Sequence, residues 1–119
     1  MSIAPPLAPE HTVMRAELLL GRDWFAVCDH TCLTPGRGVA AILPDGSQAA
    51  LFTDRSGQVY AIDNRDPVTG AYVLSRGLTG SVNGRPFVAS PLLKQRYDLA
   101  TGRGLDDTTA VRAYPARVR

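Results

Sequence analysis

From Trp24 onward the chain is a succession of short apolar runs, each stopped by Gly, Pro, Asn or Asp before it reaches helical length. The runs are Trp24 to Cys28, Val39 to Leu43, Gln48 to Thr53, Gln58 to Asp63, Leu78 to Val82, Pro86 to Ala89, Gln95 to Leu99, and Val111 to Val118 with a break at Pro115. Between them, Thr34-Pro35-Gly36-Arg37-Gly38, Pro44-Asp45-Gly46-Ser47, Asp54-Arg55-Ser56-Gly57, Asn83-Gly84 and Ala100-Thr101-Gly102-Arg103-Gly104 supply the residues that tight turns require. The pattern predicts an all-β protein of short, hairpin-connected antiparallel strands. Asn83-Gly84, between two apolar runs, is its clearest hairpin turn.

Two connections interrupt this economy: residues 64 to 77, and the Pro-started segment Ser90 to Lys94. Loops held by rigid strands are the usual place for function. Within the first, Leu74 to Arg76 fits a single helical turn. Residues Met1 to Pro9 contain three prolines and no periodicity, which predicts an irregular arm over residues 1–12 and a single domain over 13–119, with regular structure beginning near Leu18 to Trp24.

A chain of 119 residues buries about two-thirds of its unfolded surface, so it can fold without metals or disulfides. Its net charge of +2 comes from scattered Arg and Lys, which excludes the basic footprint of a nucleic-acid binder. No run approaches the roughly 20 apolar residues of a membrane span, and no apolar signal segment opens the chain. With Cys28 and Cys32 as its two cysteines, the chain fits a reducing compartment, and the expected location is cytoplasmic.

Catalytic and metal-binding patterns are thin. Cys28-Asp29-His30-Thr31-Cys32 would place three ligands on one face of an extended strand. A closed zinc site wants four, however, and a redox pair is usually spaced Cys-x-x-Cys. The expectation is a half-buried Cys28 at a strand end and a solvated His30 after it. The other histidine, His11, falls in the arm. Asp106-Asp107 reads as a solvated turn, Gly102-Arg103-Gly104 as backbone geometry, and no Gly-x-Ser-x-Gly elbow or Gly-x-Gly-x-x-Gly loop is present. The remaining candidates are side chains of the two long loops. Arg65, Asp66, Tyr72, Arg76, Lys94, Gln95 and Arg96 form either a solvated surface or a face for docking a larger partner.

The segments Asp63-Asn64-Arg65-Asp66-Pro67-Val68-Thr69-Gly70-Ala71-Tyr72-Val73-Leu74-Ser75-Arg76-Gly77 and Val88-Ala89-Ser90-Pro91-Leu92-Leu93-Lys94-Gln95-Arg96-Tyr97-Asp98-Leu99, with Trp24-Phe25 and the stretch Thr34 to Ala41, resemble the small subunit of the assimilatory NAD(P)H-dependent nitrite reductase. The resemblance runs from about Trp24 to Val118. It implies a Rieske-like antiparallel β-sandwich with the two loops at one tip. In cluster-bearing Rieske proteins those loops supply two Cys and two His. Here Asp66 and Val68 stand at the first Cys and His positions, and Ser90 and Leu93 at the second pair. A Rieske centre needs two thiolates and two imidazoles, so the resemblance implies a domain without its [2Fe–2S] cluster. Val68 and Leu93 are expected to close the emptied site by packing into it.

The resemblance further implies a non-catalytic accessory chain that binds no cofactor itself. It would dock on a large subunit carrying FAD, an iron–sulfur cluster and siroheme, which reduces nitrite to ammonium. The rival readings are a Rieske-type ferredoxin-like electron carrier and a stand-alone interaction module. Relatives usually add another short strand after the position of Arg119, so the last sheet edge is expected to be short or completed by a partner.

Overall fold

In the computed structural model, which describes residues 14–119, ten antiparallel strands form three sheets. The strands are β1 (Arg15–Leu20), β2 (Asp23–Asp29), β3 (Val39–Ile42), β4 (Gln48–Thr53), β5 (Val59–Asp63), β6 (Leu78–Val82), β7 (Arg85–Ala89), β8 (Arg96–Asp98), β9 (Ala113–Tyr114) and β10 (Ala116–Val118). The sheets run β10-β1-β2, β3-β4-β5-β9 and β6-β7-β8. The all-β architecture of antiparallel strands expected from the strand rhythm is present. The arm over residues 1–12, with His11, lies outside the described residues.

The four-stranded sheet is the middle layer. Leu51 and Ala49 of β4 face one core with Ala16 and Leu18 of β1, Ala61 of β5 and Tyr114. Ala50 and Phe52 of the same strand face a second core with Ile62, Leu74, Val88, Tyr97 and Leu99. Burial on both faces explains why β4 reads as a nearly continuous apolar run, where a half-exposed strand would alternate. At about 25 cal/mol per Å² of apolar surface removed from water, the second core ties the β6-β7-β8 unit to the body of the protein.

β1 was not expected as a separate strand, regular structure having been predicted to begin near Leu18 to Trp24. The consecutive leucines Leu18-Leu19-Leu20 hide its alternation, and its partners are supplied from far along the chain. Ala16 pairs with Val118 and Leu18 with Ala116, while Arg15 and Arg119 exchange backbone hydrogen bonds of 3.0 and 2.9 Å. The predicted run Val111 to Val118 divides at Pro115, which cannot donate to a ladder, into β9 on β5 and β10 on β1. Leu74–Arg76 forms a 3-10 turn.

Candidate functional site

The two long connections leave from β5 and β7 and meet at one end of the molecule. Asn64, 2% exposed, fixes both ends of the first. Its side-chain oxygen accepts from Ser75 N at 2.7 Å and its side-chain amide donates to Gln48 Oε1 at 3.0 Å. Its backbone N–H donates to Gln48 O, and its carbonyl accepts from Leu74 N. One buried amide thus joins the departing strand, β4 and the returning chain. The loop then re-enters β6 through Gly77, where a Cβ would lie 2.2 Å from Ala89 O, so any larger residue would push the two loops apart.

Within the first loop, Asp66 N donates to Ala71 O, Gly70 N donates to Asp66 O, and the Asp66 carboxylate accepts from the N–H groups of Val68 and Thr69. Gly70 closes the turn at φ 80. The same bonding recurs at Asp98: Asp98 N donates to Arg103 O, Gly102 N to Asp98 O, and the Ala100 and Thr101 N–H groups to Asp98 Oδ1, with Gly102 at φ 77. Both segments read Asp-x-x-Thr-Gly. The second loop keeps the backbone pattern with different residues. Ser90 N donates to Gln95 O and Lys94 N to Ser90 O, and Lys94 takes the left-handed position at φ 66.

These turns bring the two leading residues together. Ser90 Oγ donates to Asp66 Oδ2 at 2.5 Å, and both residues are at most 1% exposed. Asp66 and Ser90 stand at the positions where the resemblance places thiolate ligands, and here they bond to each other. Val68 and Leu93 do not behave as expected. They are 46% and 52% exposed, so the emptied site is closed by the carboxylate–hydroxyl pair and not by apolar filling. The physical reason is that the turn amides hold Asp66 inward, which leaves Val68, two residues on, projecting from the loop. Leu92 and Tyr72 are also about half exposed. The tip is therefore an apolar surface over a polar latch.

The docking candidates divide accordingly. Arg65, Tyr72, Arg76 and Lys94 are exposed, and among the described residues none of the three cations makes an ion pair. Asp66 is withdrawn from that set because it is fully buried. Arg96 is committed elsewhere: its guanidinium pairs with Asp106 at 2.8 Å and lies 5.4 Å from the Phe87 ring centroid. The Gln95 side-chain oxygen is buried with no hydrogen-bond partner among the described residues. Sequence reasoning missed Asn64 as the loop anchor and the Asp66–Ser90 contact. The repeated Asp-x-x-Thr-Gly was the signal that could have assigned Asp66 to a turn.

Other candidates resolve into structure. β2 ends at Asp29, and the chain turns into a 3-10 turn at His30–Cys32, which removes the single extended face that three ligands would need. Cys28 is half-buried and Cys32 exposed; burial, helped by Cys32 and Asp29, pushes the Cys28 thiol up. Asp106 receives Arg96, which holds its carboxyl below the usual range, and Asp107 caps Thr109. Burial opposes ionisation of Asp98, but Arg85 at 2.7 Å and the two turn amides outweigh it and keep the carboxyl low. The tip's donor set does not fit a [2Fe–2S] cluster: two oxygens already bonded to each other and two apolar side chains replace two thiolates and two imidazoles.

Residues 23–119 match the family of Rieske-like [2Fe-2S] domains. The nitrite reductase (NADH) small subunit of Salmonella typhimurium is 45% identical over 99 residues, covering 82% of this chain and 91% of that one. The NMR structure of NirD from Escherichia coli superposes with a TM-score of 0.73 at 42% identity, covering 82% of this chain and 89% of that one. The nitrite reductase [NAD(P)H] large subunit of Klebsiella oxytoca is 46% identical over 116 residues, which are 96% of this chain and 12% of that much longer one. With a family match over nearly all the described residues and small subunits covered along most of their length, the chain belongs to the nitrite reductase small-subunit branch of the Rieske-like domains.

Proposed function

We propose that this chain is a non-catalytic accessory subunit of a cytoplasmic NAD(P)H-dependent nitrite reductase of nitrate assimilation. It docks on a large subunit that carries FAD, an iron–sulfur cluster and siroheme and converts nitrite to ammonium. The observation that carries this reading is the Klebsiella oxytoca large subunit, in which a segment 46% identical to this chain is part of one polypeptide with the rest of the subunit. Joining in one chain raises the effective concentration of two surfaces that work together. A separate chain must supply the same contact through its own interface.

The tip is the surface we assign to that contact. Val68, Tyr72, Leu92 and Leu93 present apolar area at loop ends held by Asn64, Asp66 and Ser90. The same two loops carry exposed Arg65, Arg76 and Lys94, and their one carboxylate, Asp66, is buried. The partner surface that matches is apolar with acidic residues around it. Lys94, at φ 66, occupies a position where glycine is unstrained, as residues kept for contact often do. With no thiolate or imidazole at the tip, the chain acts by binding. It shifts the large subunit toward a conformation or orientation for which it has higher affinity.

The test is to produce the large subunit with and without this chain and to measure co-elution and nitrite-dependent NAD(P)H oxidation. Co-elution with altered turnover is expected. Separate elution with identical turnover overturns the proposal, as does stoichiometric iron and sulfide in the isolated chain.

A further inference from the structure

β6 forms one edge of its sheet, paired with β7 alone. The turn Asn83-Gly84, with φ values of 52 and 78, is a two-residue hairpin closed by Val82 and Arg85. Hydrogen-bonded and non-bonded pairs alternate from that point, so Ser81 and Thr79 sit opposite Pro86 and Val88 in non-bonded positions. Pro86 confirms the parity: it has no N–H, and its carbonyl points away from β6 to accept from Leu99 N. The N–H and C=O groups of Thr79 and Ser81 therefore point outward from the edge. No hydrogen bond to them is seen among the described residues.

Sheet edges are normally protected by charge, proline, a bulge or a covering segment. β2 begins and ends in aspartates, β10 follows Pro115 and carries Arg117, and β8 is covered by the segment that places Leu105 N on Arg96 O at 2.9 Å. Among the described residues β6 has no charge, proline or bulge, and the neighbouring Gly36 turn meets it at the Thr79 side chain, where a Cβ on Gly36 would lie 4.0 Å from Oγ1. Its residues Leu78-Thr79-Gly80-Ser81-Val82 are uncharged, with Leu78 80% and Val82 39% exposed. Their order is also a mirror pattern: apolar, hydroxyl, glycine, hydroxyl, apolar.

We infer that β6 pairs with β6 of a second copy of this chain, antiparallel about a two-fold axis at Gly80. In that register Thr79 faces Ser81 of the other copy, twice over, and their outward groups satisfy one another. Leu78 faces Val82 of the other copy on the outer face, and the two glycines meet at the axis. An isologous contact requires such self-complementarity, whereas a foreign strand does not. Of the two other uncharged edges, β9 has two residues and β3 four; matching the faces of β3 sets Ile42 against Ala40 and gives no mirror pattern. On the outer face of the hairpin, Arg85 is paired with Asp98 at 2.7 Å. The three-stranded sheets join into one of six strands. Five-residue strands bury little area, so the dimer is weak and concentration-dependent.

The test uses the whole chain in sedimentation velocity up to about 1 mM, with a mixed cross-linking arm. A monomer–dimer equilibrium is expected, and it should be lost in Ser81→Pro, which removes an outward N–H, and in Leu78→Lys, which leaves the hairpin bonds intact. In a Cys28→Ala, Cys32→Ser background, Leu78→Cys and Val82→Cys chains should cross-link as mixed dimers under oxidised glutathione, because opposed non-bonded positions lie about 4.5 Å apart at Cα. A monomer at every concentration overturns the inference. So does a dimer that survives in folded Leu78→Lys, or cross-linking as efficient within each single-variant sample as in the mixture.

Discussion

Ser90 Oγ donates to Asp66 Oδ2 at 2.5 Å across two loops separated by 24 positions, and neither residue reaches solvent. The other carboxylate oxygen of Asp66 accepts the turn amides of Val68 and Thr69. One side chain thus shapes the first loop and fastens it to the second. This arrangement leaves the apolar residues of both loops on the outside.

Ser90→Ala should destabilise the chain by about 1–3 kcal/mol, since it leaves a buried carboxylate oxygen without its partner. Asp66→Ala should cost more than Ser90→Ala, because the turn amides lose their acceptor as well. Asp66→Asn should cost less than Asp66→Ala, as its carbonyl still caps the turn and its amide can donate to Ser90. Urea unfolding of the three variants checks the order, and equal losses would contradict the dual role of Asp66.

Asp98 carries a pH dependence of definite sign. Its carboxyl is held below the ordinary range in the folded chain, so the unfolded chain takes up the proton first as pH falls. Its contribution is present above about pH 4 and is lost as acid titrates the folded carboxyl. Against the opposing effect of burial, the Arg85 hydrogen bond lowers the carboxyl first and the turn amides of Thr101 and Ala100 add to it. Asp98→Asn should therefore lower the urea midpoint at pH 6 by an amount that shrinks toward pH 2. A gap that widened in acid would reverse the assignment.

The strands β2 to β8 were legible because each is bounded by residues whose local geometry stops a strand, such as Asn83-Gly84, whose turn forms as predicted. β1 was not, since its burial depends on β10, and no local pattern within Leu18-Leu19-Leu20 shows which leucine faces the core. At the tip, the replaced ligand positions were readable one by one. Their pairing was not, because a contact between Asp66 and Ser90 is a product of two turns and the sheet beneath them. The outward placement of Val68 and Leu93 follows from those turns, and apolar character alone suggested the opposite.

Lys94 at φ 66 is one of two non-glycine residues in the left-handed region among the described residues. That conformation costs an ordinary residue roughly 1–2 kcal/mol, against about 0.5–1 kcal/mol of extra entropy lost on ordering glycine. Lys94→Gly should raise stability by a few tenths to about 1 kcal/mol while weakening association with the large subunit. Thermal unfolding and a binding titration on the same variant separate the two effects. A variant that loses stability would show the left-handed backbone to be unstrained.

The tip surface predicts a separation of binding from folding. Leu92, Leu93 and Tyr72 are each about half exposed, so Leu92→Asp, Leu93→Asp and Tyr72→Ala should each change folding stability by less than about 0.5 kcal/mol. Each removes area from the centre of the proposed contact, and the two aspartates also meet the acidic rim expected of the partner. Their affinity for the large subunit should fall tenfold or more, equivalent to about 1.4 kcal/mol. Arg65→Glu and Lys94→Glu should weaken binding chiefly at low salt, where screening is least. Arg96→Ala is the opposing control: with its guanidinium on Asp106 and Phe87, it should alter stability slightly and leave affinity unchanged. If Arg96→Ala abolishes binding while the tip variants retain it, the contact lies on the outer face of β7 and β8, and the tip is a solvated surface.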